Sequence, residues 1–483
     1  MTATIDTTTG LEPAIEAPPG RRRWLGFAAV LSAMILNLLD TTIVNIAGPS
    51  VRADLGGGLS SLQWMAAGYT LAMAVGLLTG GRLGDLFGRR RMLLVGLIGF
   101  LISSLSCGLA TSMGLLIGAR VVQGLFAAVM VPQAFGLIRD LFPPQEIGKA
   151  FAALGPAIGL STVAGPVVAG GLVQADLFGL GWRAIFLMNL PLGAFALIAG
   201  LRTLPAAPVT DRPRAGLDLT GALIAGTGMF LLVYPLVQGR ELGWPGWVFG
   251  VLAAALPVLV VFGLQQSRRS RTGRSPLVEM SVLRRRSYAS GVLFTLVFFG
   301  TIAGFSLTIG LFLQVGLGYS AIRASLPMAS WAVGAFLGSG FAAAMMVRLG
   351  RRVLQLGLVV MAIGGVALWS ALGHAARVPG FWDLAPSLAL FGLGMGAIFV
   401  PLFDIIMAEV EDHEVGSAAG LLETVQQLAG SLGVAVLATV FFSRFGTVGH
   451  VEAARTAVLL SIGLTALALA ISYLLPRKPR PSS

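Results

Sequence analysis

Residues 81–91 read Gly-Arg-Leu-Gly-Asp-Leu-Phe-Gly-Arg-Arg-Arg, and they separate two long apolar segments that carry no charge. One acid, Asp85, stands among four arginines, with Gly81 and Gly88 on either side of it. Glycines suit a tight reversal between two helices, and arginines beside an apolar segment mark the cytoplasmic side of a membrane. The stretch therefore predicts a cytoplasmic loop between two membrane-spanning helices.

The composition of the whole chain agrees with a membrane protein. Of 483 residues, 56% are apolar and only 11% are charged. A soluble fold could not hide so much apolar surface, so the chain belongs in a lipid bilayer. The net charge of +12 does not indicate nucleic acid, because the arginines cluster in short loops and no basic domain interleaved with aromatic residues is present.

The apolar segments predict an all-α integral membrane protein. A helix needs about 20 mostly apolar residues to cross a hydrocarbon layer of ~30 Å. Two cytoplasmic tails remain outside the spans, residues 1–23, predicted to be disordered, and residues 476–483. Fourteen segments meet the length: 24–47, 62–82, 92–111, 114–138, 150–173, 183–203, 217–237, 246–264, 288–315, 322–347, 353–373, 383–408, 416–442 and 455–475.

The positive charges predict the orientation of these spans. With the N-terminus inside, 25 of the 33 Lys and Arg residues fall on the inner side and seven on the outer side. A missed span would exchange the sides of every later loop, so this asymmetry supports the count. We therefore expect a multi-pass protein of the plasma (inner) membrane with both termini in the cytoplasm.

A short repeat divides the chain. The motif Gly88-Arg89-Arg90 recurs as Gly350-Arg351-Arg352, each time in an inner loop, although the second copy lacks the acid. The repeat predicts two parallel six-helix halves, residues 24–203 and 288–475. Residues 204–287 then form an inserted hairpin of spans 7 and 8 with cytoplasmic linkers. Parallel halves are a known transporter architecture, with the substrate site between them near the middle of the bilayer.

Ionisable residues within the spans are candidate functional groups, because each costs roughly 2.5–3.5 kcal/mol or more in hydrocarbon. Asp40 of span 1 and Arg120 of span 4 lie at similar depths and can pair if their helices face each other. Two interpretations stand: a static ion pair, or a proton switch in which a proton on Asp40 releases Arg120. Polar residues at helical spacing accompany the pair and are candidate substrate ligands: Asn37, Thr41, Asn45 and Gln123.

A second polar stripe lies in span 13, where Glu423 is followed by Gln426 and Gln427. It predicts either a hydrogen-bonded cluster that stabilises helix packing or a carboxylate facing a central cavity. In the second case Glu423 binds a cationic substrate or carries a proton, and the two glutamines are substrate ligands. Span 9 carries five phenylalanines, most of which we expect to face lipid, the alternative being an aromatic lining for an apolar substrate: Phe294, Phe298, Phe299, Phe305 and Phe312.

The chain offers no sign of an enzyme. No paired catalytic acids, nucleophile triad or metal-ligand cluster lies at a common depth, and the three histidines fall in loops. We expect no cofactor and no metal. The expected partners are a small organic substrate, protons and the lipid bilayer, and we expect the protein to act as a monomer without nucleic acid.

Several motifs resemble those of the fourteen-span drug:proton antiporter family of the major facilitator superfamily. Residues 39–45, Leu-Asp-Thr-Thr-Ile-Val-Asn, resemble its first-helix motif, and Arg120 with Gln123-Gly124 resembles its fourth-helix motif. Gly165-Pro166 followed by Gly170 resembles its fifth-helix antiporter motif, although Ser161 and Ala169 stand where that pattern has glycine. The similarity extends over nearly the whole chain.

The resemblance implies roles for these residues. Asp40 and Arg120 would take part in proton coupling, joined by Glu423, which stands where the family has asparagine. Gly165, Pro166 and Gly170 would mark export rather than uptake. The loop would act as a conformational gate through Gly81, Asp85, Gly88, Arg89 and Arg90.

The function implied is a proton-coupled antiporter that exports amphipathic or cationic organic compounds, such as drugs or antibiotics, by alternating access. The proton gradient would be its energy source. The alternative is a proton-coupled carrier of a metabolite, lipid or siderophore.

Overall fold

The computed structural model of the chain describes residues 20–143, 146, 165, 167–205, 217–239, 241–274, 276–374, 379–411 and 415–476. Its long helices in the first part of the chain are α1 (Gly20–Leu55), α2 (Leu59–Phe87), α3 (Arg89–Gly108), α4 (Met113–Leu141), α5 (residues 167–175) and α6 (Asn189–Thr203). They are followed by α7 (Leu219–Gln238), α8 (Gly246–Arg271), α9 (Arg286–Leu311), α10 (Ala321–Leu349), α11 (Arg351–His374), α12 (Phe381–Ile406), α13 (Val415–Val448) and α14 (His450–Ser472).

Within the described residues, 13 helices are long and apolar enough to cross a membrane. They correspond to all the predicted spans except the fifth, residues 150–173, most of which lies outside the described residues. The first helix is longer than predicted, because α1 continues through Pro49 to Leu55 instead of ending near residue 47. The predicted all-helical membrane fold is therefore found, with one predicted span left untested.

Glycine forms the predicted reversals. Gly88 separates α2 from α3 with a φ of 89°, and Gly350 separates α10 from α11 with a φ of 50°. A positive φ suits glycine and disfavours residues with a side chain, which explains why a helix ends at each of these positions. The two copies of the Gly-Arg-Arg repeat thus both place a glycine of positive φ between consecutive helices, although the ψ angles differ, 131° at Gly88 and −129° at Gly350.

The helices pack in two groups that meet mainly at α2 and α13. In one group α4 packs against α2 and α3, and α1 packs against α6. In the other, α12 packs against α10 and α11, and α9 packs against α13. Helix α7 lies against both α2 and α13, and α8 packs chiefly against α7. The exact division at residues 203 and 288 stays a prediction.

Close helix contacts in the second group depend on small residues. A methyl group at Gly334 or Gly338 of α10 would lie 2.0 Å from a backbone oxygen of α12, at Ala389 or Leu393. Only a residue without a side chain allows two helix backbones to approach this closely. The contact between α10 and α12 is therefore set by backbone rather than side-chain packing.

The phenylalanines of span 9 are placed differently from our expectation. Phe294, Phe298, Phe305 and Phe312 are almost fully buried, and Phe299 contacts Phe399 of α12 with ring centroids 5.3 Å apart. The prediction that most of them face lipid is wrong, because α9 packs against α13 and α14 instead of lying at the periphery. The helix with the most exposed apolar side chains is α8, which presents Leu256 and Leu264 outward.

Candidate functional site

Asp40 and Arg120 form an ion pair inside the first helix group. Asp40 lies on α1 and Arg120 on α4, and the Arg120 guanidinium donates a hydrogen bond to Asp40 Oδ2. Their side chains are 0% and 1% exposed, so the pair is shielded from solvent and lipid alike. The two groups that the sequence placed at similar depth are in direct contact.

Two amides complete the environment of the Asp40 carboxylate. Gln123 Nε2 lies 3.0 Å from Asp40 Oδ1, and Asn189 Nδ2 lies 3.1 Å from the same oxygen. The Gln123 carbonyl oxygen accepts a hydrogen bond of 2.8 Å from Arg120 Nη1, so Gln123 contacts both ions. Helices α1, α4 and α6 therefore meet at a single carboxylate.

Asn189 and Tyr69 are the site residues that the charge pattern did not indicate. Asn189 begins α6, and an asparagine at a helix start carries no specific signal. Tyr69 of α2 is fully buried, and its ring centroid lies 4.2 Å from the Arg120 guanidinium carbon. The Tyr69 hydroxyl donates to Asn37 Oδ1 at 2.6 Å.

A further contact of Arg120 reaches the backbone of α2. Arg120 Nε donates to the carbonyl oxygen of Met65 at 3.3 Å. Arg120 is therefore held by Asp40, Gln123, Met65 and the face of Tyr69. Removing one partner of a buried ion pair costs about 3–5 kcal/mol, because the other charge stays buried without compensation. A proton on Asp40 cancels its charge and favours any rearrangement that gives Arg120 a new partner or water.

The other candidates on α1 are only partly in this site. Asn37 is buried and reaches it through Tyr69, whereas the Thr41 hydroxyl donates to the backbone of its own helix at Leu38, 2.8 Å away. The side chain of Asn45 lies outside the described part of the chain. Of the three predicted ligands on α1, Asn37 is the one that the structure joins to the ion pair through a described contact.

Glu423 forms a second polar cluster, on α13. Gln426 Nε2 lies 3.3 Å from one Glu423 oxygen, and Gln427 Nε2 lies 3.2 Å from the other. All three side chains are partly exposed, unlike the ion pair. Among the described residues no cation pairs with Glu423, so its carboxylate is held by neutral amides beside accessible space.

The loop at residues 81–91 contacts the ends of two neighbouring helices, α4 and α6. Arg89 Nη1 lies 3.3 Å from Asp140 Oδ1, and Arg90 Nη2 lies 2.6 Å from the carbonyl oxygen of Leu201. Gly88 forms the turn described above, and a methyl group at Gly81 would meet nothing within 4 Å. The side chain of Asp85 lies outside the described residues, so its predicted gate role stays a prediction.

The small residues of span 5 are described in part. Gly165 is helical and buried, Pro166 lies outside the described residues, and Gly170 packs against the start of α10. A methyl group at Gly170 would lie 2.8 Å from the carbonyl oxygen of Ala321. Ala321 is the first residue of α10, so the small residue Gly170 allows α5 to contact the start of α10.

An exposed ion pair lies farther along α1, beyond its apolar span. Arg183 Nη1 lies 2.6 Å from Asp54 Oδ2, and the Trp182 indole donates to the same oxygen at 3.0 Å. Hydrogen bonds from Trp182 and Arg183 hold the pKa of Asp54 below its usual value. Asp54 is thus a second acid of α1 that pairs with an arginine, but its side chain is exposed whereas that of Asp40 is fully buried.

Apolar helices that enclose a buried ion pair and a partly open carboxylate define a membrane transport protein. The model of the Major Facilitator Superfamily matches residues 30–434, and the chain belongs to that superfamily.

Three bacterial relatives are similar over most of this chain. It is 47% identical over 439 residues to the "Probable actinorhodin transporter" of Streptomyces coelicolor, which covers 89% of this chain and 74% of the relative. It is 38% identical to the "Puromycin resistance protein pur8" of Streptomyces alboniger, over 89% and 84% of the two chains. It is 34% identical to the "Tetracenomycin C resistance and export protein" of Streptomyces glaucescens, over 92% and 81%.

Solved structures share the fold. The xylose transporter XylE from E. coli, in a partially occluded inward open conformation, aligns with a TM-score of 0.62 at 16% identity. The alignment covers 93% of this chain and 98% of the xylose transporter. The likeness supports the same helix arrangement in this multi-pass membrane transporter.

Proposed function

We propose that the protein is a proton-coupled antiporter that exports amphipathic or cationic organic compounds, antibiotics among them, by alternating access. The observation that carries the proposal is the fully buried contact between Asp40 and Arg120, with Gln123 and Asn189 around the carboxylate. This is the one described acid whose neutralisation would free a buried arginine. Such a group can couple proton binding to a change of shape.

The relatives support the substrate class. Two carry export or transport of an antibiotic in their names, actinorhodin and tetracenomycin C, and a third carries puromycin resistance. The partly exposed Glu423 suits a cationic group, and Phe299 with Phe399 provides aromatic surface on neighbouring helices. We therefore assign substrate contact on the α13 side of the site to Glu423, Gln426 and Gln427. On the side of α1 and α4 we assign it to Asn37, Thr41, Asn45 and Gln123.

The proposal includes a specific architecture. Two parallel halves of six helices would rock about the substrate site, with α7 and α8 as an inserted hairpin and fourteen spans in all. The protein would lie in the plasma membrane with both termini in the cytoplasm and act as a monomer. Its energy would come from the proton gradient, with no cofactor. Gly165, Pro166 and Gly170 would favour export, and the loop around Asp85 would latch the inner side.

The test is transport in proteoliposomes with an imposed pH gradient, using radiolabelled puromycin and fluorescent ethidium as probes. We expect Asp40→Asn to reduce gradient-driven transport at least tenfold, because it removes the titratable group while keeping the side-chain shape. The matched control is Asp54→Asn on the same helix, which removes an exposed ion pair and should leave transport unchanged.

Full gradient-driven transport by Asp40→Asn would refute the role of Asp40 in coupling. Movement of probe in the same direction as the protons would instead favour the alternative, a proton-coupled importer of a metabolite, lipid or siderophore.

A further inference from the structure

A short segment of α2, residues Met65–Thr70, lies between the ion pair and the second helix group, and we call it the α2 turn. On one side, Met65 accepts the hydrogen bond from Arg120 Nε at 3.3 Å, and Tyr69 places its ring under the guanidinium. Tyr69 is fully buried, so its ring is packed on all sides in its place beside the guanidinium. The turn Met65–Thr70 is therefore fixed on this side by the residue that Asp40 holds.

The same turn contacts α13 through its other side. The Thr70 hydroxyl lies 2.6 Å from the Ser431 hydroxyl, and Ser431 Oγ also donates to the carbonyl oxygen of Ala67 at 3.3 Å. Both hydrogen bonds join the first helix group to the second. A hydrogen bond of this length is lost when its atoms separate by about 1 Å, so it responds to small shifts of the turn.

Ser431 also continues toward the Glu423 cluster. Its single hydroxyl proton can go to the carbonyl oxygen of Ala67 or instead to that of Gln427, 3.2 Å away and one turn earlier on α13. The Gln427 amide donates to Glu423. Contacts therefore run without a break from Asp40 through Arg120, the α2 turn and Ser431 to Glu423. A contiguous network of this kind can transmit a change only if one of its elements has two arrangements. The structure shows Arg120 bound to Asp40, and its release on protonation of Asp40 would supply the second arrangement.

We propose that the turn Met65–Thr70 and its partner Ser431 transmit the charge state of Asp40 to the contact between the two helix groups. Thr70 and Ser431 are positioning residues in this scheme, since neither touches the ion pair itself. The inference rests on the proposed proton coupling and names the route by which it reaches the second group. The competing explanation is a static contact that stabilises packing and does not respond to Asp40.

The test measures opening of the outer side with a single reporter cysteine. Ser325 of α10 is fully buried, and its hydroxyl would lie 2.9 Å from a methyl group at Gly170. Ser325→Cys therefore reacts with a membrane-impermeant maleimide only when the outer ends of α5 and α10 separate. The native Cys107 is buried and gives a low background. The full-length reporter protein in proteoliposomes serves as reference.

Thr70→Val and Ser431→Ala should each raise the labelling rate about fivefold, as expected for the loss of one hydrogen bond that stabilises the closed form. Asp40→Asn should change the rate at least threefold in the reference protein. That change should disappear in the Thr70→Val background, because the route is already broken. Thr70→Ser keeps the hydroxyl and should restore the reference behaviour.

Two variants serve as matched controls. Among the described residues, the Thr79 hydroxyl donates only within α2, to Gly76 at 3.0 Å, and the Ser443 hydroxyl only within α13, to Val440 at 2.8 Å. Thr79→Val and Ser443→Ala should label like the reference. If Thr70→Val fails to fold, the effect of Asp40→Asn is measured in the Ser431→Ala background instead, which removes the α13 partner of the same hydrogen bond.

Equal effects of Asp40→Asn in the presence and absence of Thr70 would refute the route, because independent sites have additive effects. No effect of Asp40→Asn on labelling would refute it as well. These outcomes are distinct from failure of the proposed function, which would appear as an absence of gradient-driven puromycin or ethidium transport in the same proteoliposomes.

Discussion

Asn189 donates a hydrogen bond to Asp40 Oδ1 over 3.1 Å, so helix α6 contributes directly to the ion pair between α1 and α4. The Asn189 amide also donates to Ser104 Oγ at 2.9 Å, which fixes its orientation toward α3. The carbonyl oxygen of the Asn189 side chain is buried and has no hydrogen-bond partner among the described residues. The same amide group contacts the Asp40 carboxylate, which becomes a hydrogen-bond donor when it takes up a proton.

We expect Asn189→Leu to lower gradient-driven transport about tenfold, with normal membrane insertion. The substitution keeps the side-chain size and removes a hydrogen bond to a charged group, worth about 1.5–3 kcal/mol. The measurement is the initial rate of puromycin transport in proteoliposomes. Ser104→Ala is the control, because it removes the other partner of Asn189 and leaves the bond to Asp40 in place. Equal rates for both variants would contradict a specific role of Asn189.

Tyr69 allows the aromatic contact to be separated from the hydroxyl contact. Tyr69→Phe keeps the ring under Arg120 but leaves the buried Asn37 oxygen without its donor. We therefore expect the free energy of unfolding to fall by about 1–3 kcal/mol while transport is preserved. Tyr69→Leu removes the ring as well, whose cation–π contact is worth about 2 kcal/mol when desolvated. We expect transport to fall in the Tyr69→Leu variant but not in the Tyr69→Phe variant. Loss of transport with Phe would assign the function to the hydroxyl instead.

Much of the ion-pair site was predictable because charge in an apolar span is rare and needs a partner. Asp40, Arg120 and Gln123 followed from depth and helical spacing alone. Tyr69 and Asn189 could not be predicted in the same way. A tyrosine is unremarkable in an apolar helix, and its position under a guanidinium depends on how α2 crosses α4.

The fold was predictable to the level of individual spans, since each apolar helix has a minimum length. Which face of a helix is buried could not be predicted, because an apolar side chain can pack against either protein or lipid. The phenylalanines of α9 illustrate this: their burial depends on the packing of α9 against α13 and α14, which the pattern of one helix does not contain.

Asp218 precedes the first residue of α7 and contacts α8, and its contribution to stability should depend on pH. The buried carboxylate accepts hydrogen bonds from Gly221 N at 2.9 Å, Gln265 at 3.0 Å and Gln266 at 2.8 Å. Burial acts to raise its pKa, but these bonds together with Arg269 outweigh it and hold the pKa below the usual 3.8. A lowered folded-state pKa stabilises the protein above that value and less so as the pH falls through the folded-state pKa.

We therefore expect Asp218→Ala to lower the free energy of unfolding by about 1–3 kcal/mol at pH 7, from the lost helix cap and charge-assisted bonds. The difference from the unmodified protein should shrink below about pH 4, where the carboxylate takes up a proton. Thermal unfolding in detergent across pH 3–7 measures this. The control is Asp383→Ala, which removes an exposed acid that caps the start of α12 through Gly380 N. A pH-independent effect of Asp218→Ala would contradict a charge-based role.

Glu423 should determine whether a cationic substrate is preferred. Its carboxylate has no cation among the described residues and is held by Gln426 and Gln427, so Glu423→Gln keeps the shape of the cluster and removes its charge. We expect the KM for ethidium, a permanent cation, to rise about tenfold, while a neutral aromatic probe of similar size is transported at an unchanged rate. Glu452→Gln is the control, since Glu452 is an exposed acid paired with Arg455 at 2.5 Å on α14. An equal loss for cationic and neutral probes would place Glu423 in proton coupling rather than substrate recognition. Unchanged transport of both probes would assign Glu423 to helix packing, the first of the two interpretations that the sequence allowed.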